Sequence, residues 1–163
     1  MLEIKETGLS DLENVKRLWA DGEVMKYVGF EEGLHQSDEE MKDWYKWISS
    51  NKPYLNHYSI FEDGIYLGET FYEIDLNHGN AASLDIKLFS FARGKGIATI
   101  ALSYAIDSAF KNGASKVWVD PNKENIKAIA LYKRLGFIEK PMPDYLKDPK
   151  YAPFTIYMEL EKR

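Results

Sequence analysis

The rhythm of apolar and polar positions changes several times along the chain, and each change marks an element. LEIKE, residues 2–6, alternates with a period of two, as a half-buried strand does. Ser10 and Asp11 then offer an N-cap to DLENVKRLWADGEVMKYV, whose spacing predicts a helix that stops near Gly22. A second helix is predicted in SDEEMKDWYKWISSNKP. There Ser37 and Glu40 form a capping-box pattern, Met41, Trp44, Tyr45 and Ile48 recur at helical spacing, and Pro53 closes the run. YSIFED, IYLGETFYEIDL and AASLDIKLFS are rich in aromatic and β-branched residues. Asp63-Gly64 and Asn77-His78-Gly79-Asn80 separate them with the residue types of tight reversals, so an antiparallel meander is expected.

Beyond residue 90 the pattern turns helical again. From Ile97 to about Phe110 apolar positions cover nearly the whole circumference, which predicts a helix buried on more than one side, with a stop at Asn112-Gly113. KVWVD reads as a short strand and NKENIKAIALYKRLGF as an amphipathic helix ended by Gly136. FIEK and FTIYMELEK are two more strands, joined by the proline-bearing PMPDYLKDPKYAP. The 163 residues, free of repeats, suit one compact domain over 1–163.

Composition narrows the chemistry. With 21 basic and 26 acidic side chains the net charge is -5, which argues against a nucleic-acid partner and suits a cationic or amine substrate. The absence of cysteine excludes disulfides, thiolate metal sites and a cysteine nucleophile. His35, His57 and His78 lack ligand-like spacing, so no metal site is expected. Charges run through the first residues, and no segment approaches the roughly 18 apolar residues of a membrane span. A cytoplasmic location without membrane contact is therefore expected.

Candidate chemistry concentrates in FARGKGIATIALSYA, residues 91–105. Gly94 and Gly96 lie between a predicted strand and a predicted helix, where they let a ligand approach the main chain. The first N–H groups of that helix, its dipole and the cations Arg93 and Lys95 make an anion site suited to phosphate. The plainer alternative is a strand-to-helix turn with solvated cations. A Walker A loop is excluded, because Ile97 follows Gly96 and Phe91 stands where its first glycine belongs. The dinucleotide fingerprint fails too, since position 99 is threonine.

Arg93-x-x-Gly96-x-Ala98 resembles the acyl-CoA pyrophosphate loop of the GNAT N-acetyltransferase superfamily, [QR]-x-x-G-x-[GA]. Downstream, Asn125-x-x-Ala128-x-x-x-Tyr132-x-x-x-Gly136-Phe137 is similar to the family's second motif. The order of strands and helices is similar as well. WADGEVMKYVGF resembles the branch that includes ribosomal-protein N-acetyltransferases and antibiotic-modifying relatives. The resemblance implies an α/β GNAT fold: a mixed, mostly antiparallel sheet of six to seven strands with helices on both faces.

It also implies acetyl-CoA as cosubstrate, its pyrophosphate on the N–H groups around Gly94, Gly96, Ile97 and Ala98, assisted by Arg93 and Lys95. The pantetheine arm would pair along Lys87, Leu88 and Phe89, with a backbone N–H near Leu88 polarising the thioester carbonyl. Asn125, Ala128 and Tyr132 fall on one helical stripe, Asn125 and Tyr132 roughly 10 Å apart along the axis. The stripe would touch the cofactor, and Tyr132 would protonate the departing thiolate. Reference pKa values of about 10 and about 8.5 make that transfer uphill by roughly 2 kcal/mol. A strong hydrogen bond to the sulfur, or a modestly lowered tyrosine pKa, would close the gap.

The base is open at this stage. Asp85 is a candidate because some family members carry a catalytic carboxylate on this strand, yet Ser83 stands where the best-known members align a glutamate. Glu69, Glu73 and Asp120 are rivals, and each is equally readable as a paired or solvated carboxylate. Trp19, Tyr27, Phe30, Trp44 and Trp47 are either an acceptor wall or a core stripe. Glu31, Glu32, Asp38, Glu39 and Glu40 either attract an amine or form a solvated face. The implied acceptor is a small-molecule amine or a protein N-terminus, and relatives often form homodimers. The alternative to an enzyme is a non-catalytic acyl-CoA sensor, which has no need of an acid at Tyr132.

Overall fold

A computed structural model of the chain describes residues 1–162. Seven strands make one sheet: β1 (Leu2–Glu6), β2 (Leu55–Glu62), β3 (Ile65–Asp75), β4 (Ala81–Leu88), β5 (Lys116–Val119), β6 (Ile138–Glu139) and β7 (Met158–Glu161). Their spatial order is β1-β2-β3-β4-β5-β7-β6. The helices are α1 (Leu12–Trp19), α2 (Gly22–Met25), α3 (Asp38–Ser50), α4 (Ile97–Lys111) and α5 (Ile126–Arg134). Every neighbouring pair of strands is antiparallel except β4 and β5. Parallel neighbours need a crossover, and α4 supplies it. No helix among the described residues is long and apolar enough to cross a membrane.

Local chemistry accounts for the elements. Asp63 and Gly64 both take positive φ, 50° and 81°, the two-residue turn whose twist matches an antiparallel pair. Ser37 Oγ accepts from the Glu40 N–H while Glu40 Oε1 accepts from the Ser37 N–H, each at 3.1 Å, so the expected capping box starts α3. Alternation along β4 turns Ala82, Leu84, Ile86 and Leu88 toward α4, where they join Tyr72, Leu102, Ala105 and Ala109 in the core. Ser83, Asp85 and Lys87 point to the other face, beside Glu73, Phe71 and Glu69 of β3. That face is covered by α1 and α3, whose Val15, Leu18 and Met41 form a second cluster with Tyr66 and Phe89.

Several boundaries differ from the expected ones. The first helix ends at Trp19 rather than near Gly22, because the Trp19 carbonyl accepts from the Leu34 N–H at 2.7 Å and Asp21 caps a separate α2 through the Glu23 N–H at 2.9 Å. Helix α4 is not buried all round, since Ile100 and Tyr104 face solvent. The last strand begins only at Met158. Upstream of it, Phe154 and Ile156 bond to Lys123 and Pro121 in the segment between β5 and α5.

Candidate active site

The parallel pairing of β4 with β5 covers only Ala81 with Lys116, Ala82 with Val117 and Ser83 with Trp118. Leu84 to Leu88 continue along β3 but have no partner on the β5 side. The two strands therefore part in a V whose vertex is Ser83 and Trp118. Phe89 N–H donates to the Leu67 carbonyl at 3.0 Å, so ladder alternation turns the N–H and carbonyl of Leu88 toward the gap. An extended ligand can pair with such an unfilled strand edge.

The loop after β4 closes the open end of the V. Gly94 and Gly96 both have φ 77°, and a Cβ at either would meet nothing within 4 Å. Gly96 is the N-cap of the fifteen-residue α4 and, lacking a side chain, leaves the first N–H groups without a side-chain cap. That terminus is a ready anion site, and the exposed Lys95 adds charge. Arg93 also ties the loop down. Its guanidinium donates to the Leu88 carbonyl at 3.1 and 3.2 Å and to the Glu23 carbonyl at 3.1 Å, tying the loop to β4 and α2.

Helix α5 begins where Asn125 Oδ1 accepts from the Ala128 N–H at 3.3 Å. One further turn on it places Tyr132, 4% exposed, with its ring 5.6 Å from that of Phe137. Burial, then the charges of Asp85 and Asp120, push the Tyr132 hydroxyl up, so a lowered tyrosine pKa does not close the thiol gap. Tyr132 packs in the core on the α4 side of the sheet, and Asp85 rises from the opposite face.

Asp85 is fully engaged: one oxygen pairs with the Lys87 ammonium and the other accepts from the Ile86 N–H at 2.8 Å. Asp120, at the end of β5, stays open to solvent although most of its surroundings are protein. Desolvation and then the Asp85 charge push its carboxyl up to about 6. The exposure softens the size of that rise and leaves its direction intact.

Behind Asp85 lies a buried polar chain. Glu69, 2% exposed, accepts from Trp19 Nε1 at 2.5 Å and faces His57 Nε2 at 3.1 Å, an ion-pair distance whose angle falls short of a hydrogen bond. His57 Nδ1 meets Thr7 Oγ1 at 2.7 Å, and Thr7 meets Ser59 Oγ at 2.8 Å. Burial alone would push Glu69 up; His57, Lys87 and the Trp19 N–H reverse this and hold it at about 2. Glu69 is thus a permanent anion that fixes its neighbours, a poor fit to a base. Trp44 packs edge-on against both Trp19 and His57, at 4.9 and 4.8 Å, so these tryptophans belong to the covered face while Trp47 and Phe30 stay exposed. Thr7 and Ser59 carry no sequence signal for this role, because their partners come from other strands.

A sheet split between two parallel strands, with an uncapped helix terminus at its mouth, defines the acetyltransferase class of fold. The acetyltransferase (GNAT) domain family matches residues 2–138, and the chain belongs to that family. Streptothricin acetyltransferase from Streptomyces lavendulae is 38% identical over 53 residues, a match spanning 32% of this chain and only 28% of that protein. Among solved structures, spermidine N-acetyltransferase from Vibrio cholerae, in complex with CoA and spermine, superposes with a TM-score of 0.80 at 21% identity, over 98% of this chain and 95% of that one. Ribosomal-protein-alanine N-acetyltransferase from Brucella melitensis superposes with a TM-score of 0.76 at 18% identity, over 98% and 99%.

Proposed function

We propose that the protein is an N-acetyltransferase that moves an acetyl group from acetyl-CoA to a primary amine by direct attack. The observation that carries this reading is the V between β4 and β5, with an uncapped helix N-terminus at its mouth. The N–H groups of Gly94, Gly96, Ile97 and Ala98, with Lys95, hold the pyrophosphate. The edge of Lys87, Leu88 and Phe89 pairs with the pantetheine arm, and Asn125 and Ala128 line its other side. Leu88 N–H donates to the thioester oxygen as negative charge develops there.

Proton traffic falls to two residues. Asp120 takes the proton of the attacking amine, since a carboxyl near 6 is ionised at neutral pH and still basic enough to accept one. It is preferred to Asp85, whose oxygens are both engaged. As the carbon–sulfur bond breaks, Tyr132 donates its hydroxyl proton to the sulfur. Protonation of Asp120 removes one of the two charges that raise the tyrosine, so the base strengthens the acid at the moment it is needed.

A free-thiol release assay across polyamines, aminoglycosides, amino acids and peptides with free N-termini tests the reading. At least one amine is expected to accelerate thiol release, and acetyl-CoA is expected to raise the melting temperature where ATP and NAD do not. Acetyl-CoA binding with no thiol release on any amine would favour the sensor.

A further inference from the structure

A cavity of about 450 Å³ opens on the polar face of the sheet, lined by Tyr54, Leu55, Glu73, Ser83, Trp118 and Tyr145 among others. Ser83 and Trp118 are the vertex of the V, and Glu73 is the direct cross-strand partner of Ser83. The cavity therefore begins where an attacking amine must enter the gap.

Its chemistry is one-sided. Among the described residues, no lysine, arginine or histidine lines it. The Glu73 carboxylate accepts no hydrogen bond and forms no ion pair among the described residues, and burial followed by the Asp75 charge pushes it up. It is an anion without a counter-cation. Asp75, by contrast, is occupied: its oxygens take the Asn77 N–H at 2.9 Å and His78 Nδ1 at 2.7 Å. The His78 ring stacks on Tyr145 at 3.8 Å and holds that wall in place. Three aromatic residues, Tyr54, Trp118 and Tyr145, line the same cavity as the free carboxylate, a set of groups that attracts alkylammonium ions.

Building on the acetyltransferase reading, we propose that this cavity is the acceptor subsite and selects small aliphatic di- or polyamines. Glu73 and the three rings hold a second ammonium group while the first amine reaches the gap. The apolar Leu55, cross-strand partner of Glu73, suits the methylene chain between them. The volume is that of a small-molecule pocket, which favours a free polyamine over a peptide.

The test compares kcat/KM for 1,4-diaminobutane and spermidine with butylamine, in wild type and in Glu73→Gln, and adds calorimetric titration of 1,4-diaminobutane without acetyl-CoA. The diamine is expected to exceed butylamine by at least about tenfold, the equivalent of about 1.4 kcal/mol. Glu73→Gln should collapse that ratio toward one through KM and weaken the calorimetric Kd about tenfold. The proposal is overturned if butylamine serves as well as the diamine, or if Glu73→Gln lowers both substrates equally. A lysine-bearing peptide or an aminoglycoside turned over in place of a diamine that does not bind would overturn it too. Calorimetry separates the two readings: diamine bound without thiol release sinks the acetyl transfer and keeps the subsite, whereas thiol release from monoamines without diamine binding does the reverse.

Discussion

The two faces of β3 and β4 are built from opposite materials. Toward α4 stand Tyr72, Ile74, Ala82 and Leu84, packed on Leu102, Ala105 and Ala109. Toward α1 and α3 stand Glu69, Phe71, Asp85 and Lys87, linked through His57 to Thr7 and Ser59. The first face gains stability from apolar area removed from water, a term that tolerates imprecision. The second buries charges that are stable only as a complete set, so it fixes side chains to single positions. A site that must hold the Asp85 side chain in one place needs the second kind of support.

The largest effect should come from breaking the charged set. Glu69→Ala leaves His57 Nε2 and the Trp19 N–H, both buried, without their partner and should cost about 4 kcal/mol in urea unfolding. Leu102→Ala on the other face should cost about 3 kcal/mol, yet leave activity per folded molecule near wild type. Equal activity losses in the two variants would erase the distinction between the faces. The pH dependence follows from sign: the Glu69 carboxyl is held below its unfolded value, so its stabilisation is present above about 4.5 and lost as pH falls toward about 2. Glu69→Gln should flatten that acid limb.

The apolar face was the legible one. The period-two alternation of SLDIKL matches the split of Leu84, Ile86 and Leu88 from Ser83, Asp85 and Lys87, and Ser37 with Glu40 announced a capping box that forms. Asp63-Gly64 announced a turn that forms as well. The charged face was not legible as a set, because Glu69, His57, Thr7 and Trp19 are joined only by tertiary contacts across three strands and a helix. Sequence placed Glu69, Glu73, Asp85 and Asp120 together as rival bases. Separating them required knowing which carboxylate is buried and paired, which is engaged, and which stays open. The Arg93 side chain shows the same limit, since its backbone acceptors come from β4 and α2.

A smaller effect should distinguish the base. Asp120→Asn should cut kcat/KM by about tenfold to a hundredfold and abolish an acid limb near pH 6 in the kcat/KM profile, below which the wild-type carboxyl is protonated and idle. An unchanged limb in the variant would assign it elsewhere. Smaller still, Gly96→Ala meets no atom within 4 Å and should cost only the roughly 1 kcal/mol of a left-handed alanine. A drop in acetyl-CoA affinity beyond about fivefold would mark that empty space as ligand volume; unaltered affinity would move the pyrophosphate away from the loop.

The central claim is that the V between β4 and β5 is a catalytic gap with Tyr132 as its acid. Tyr132→Phe, compared with wild type for both acetyl-CoA binding by calorimetry and thiol release with the preferred amine, tests it most directly. Affinity should stay nearly unchanged while turnover falls at least about tenfold, a loss of about 1.4 kcal/mol of transition-state stabilisation. Unchanged turnover with unchanged affinity would contradict the account.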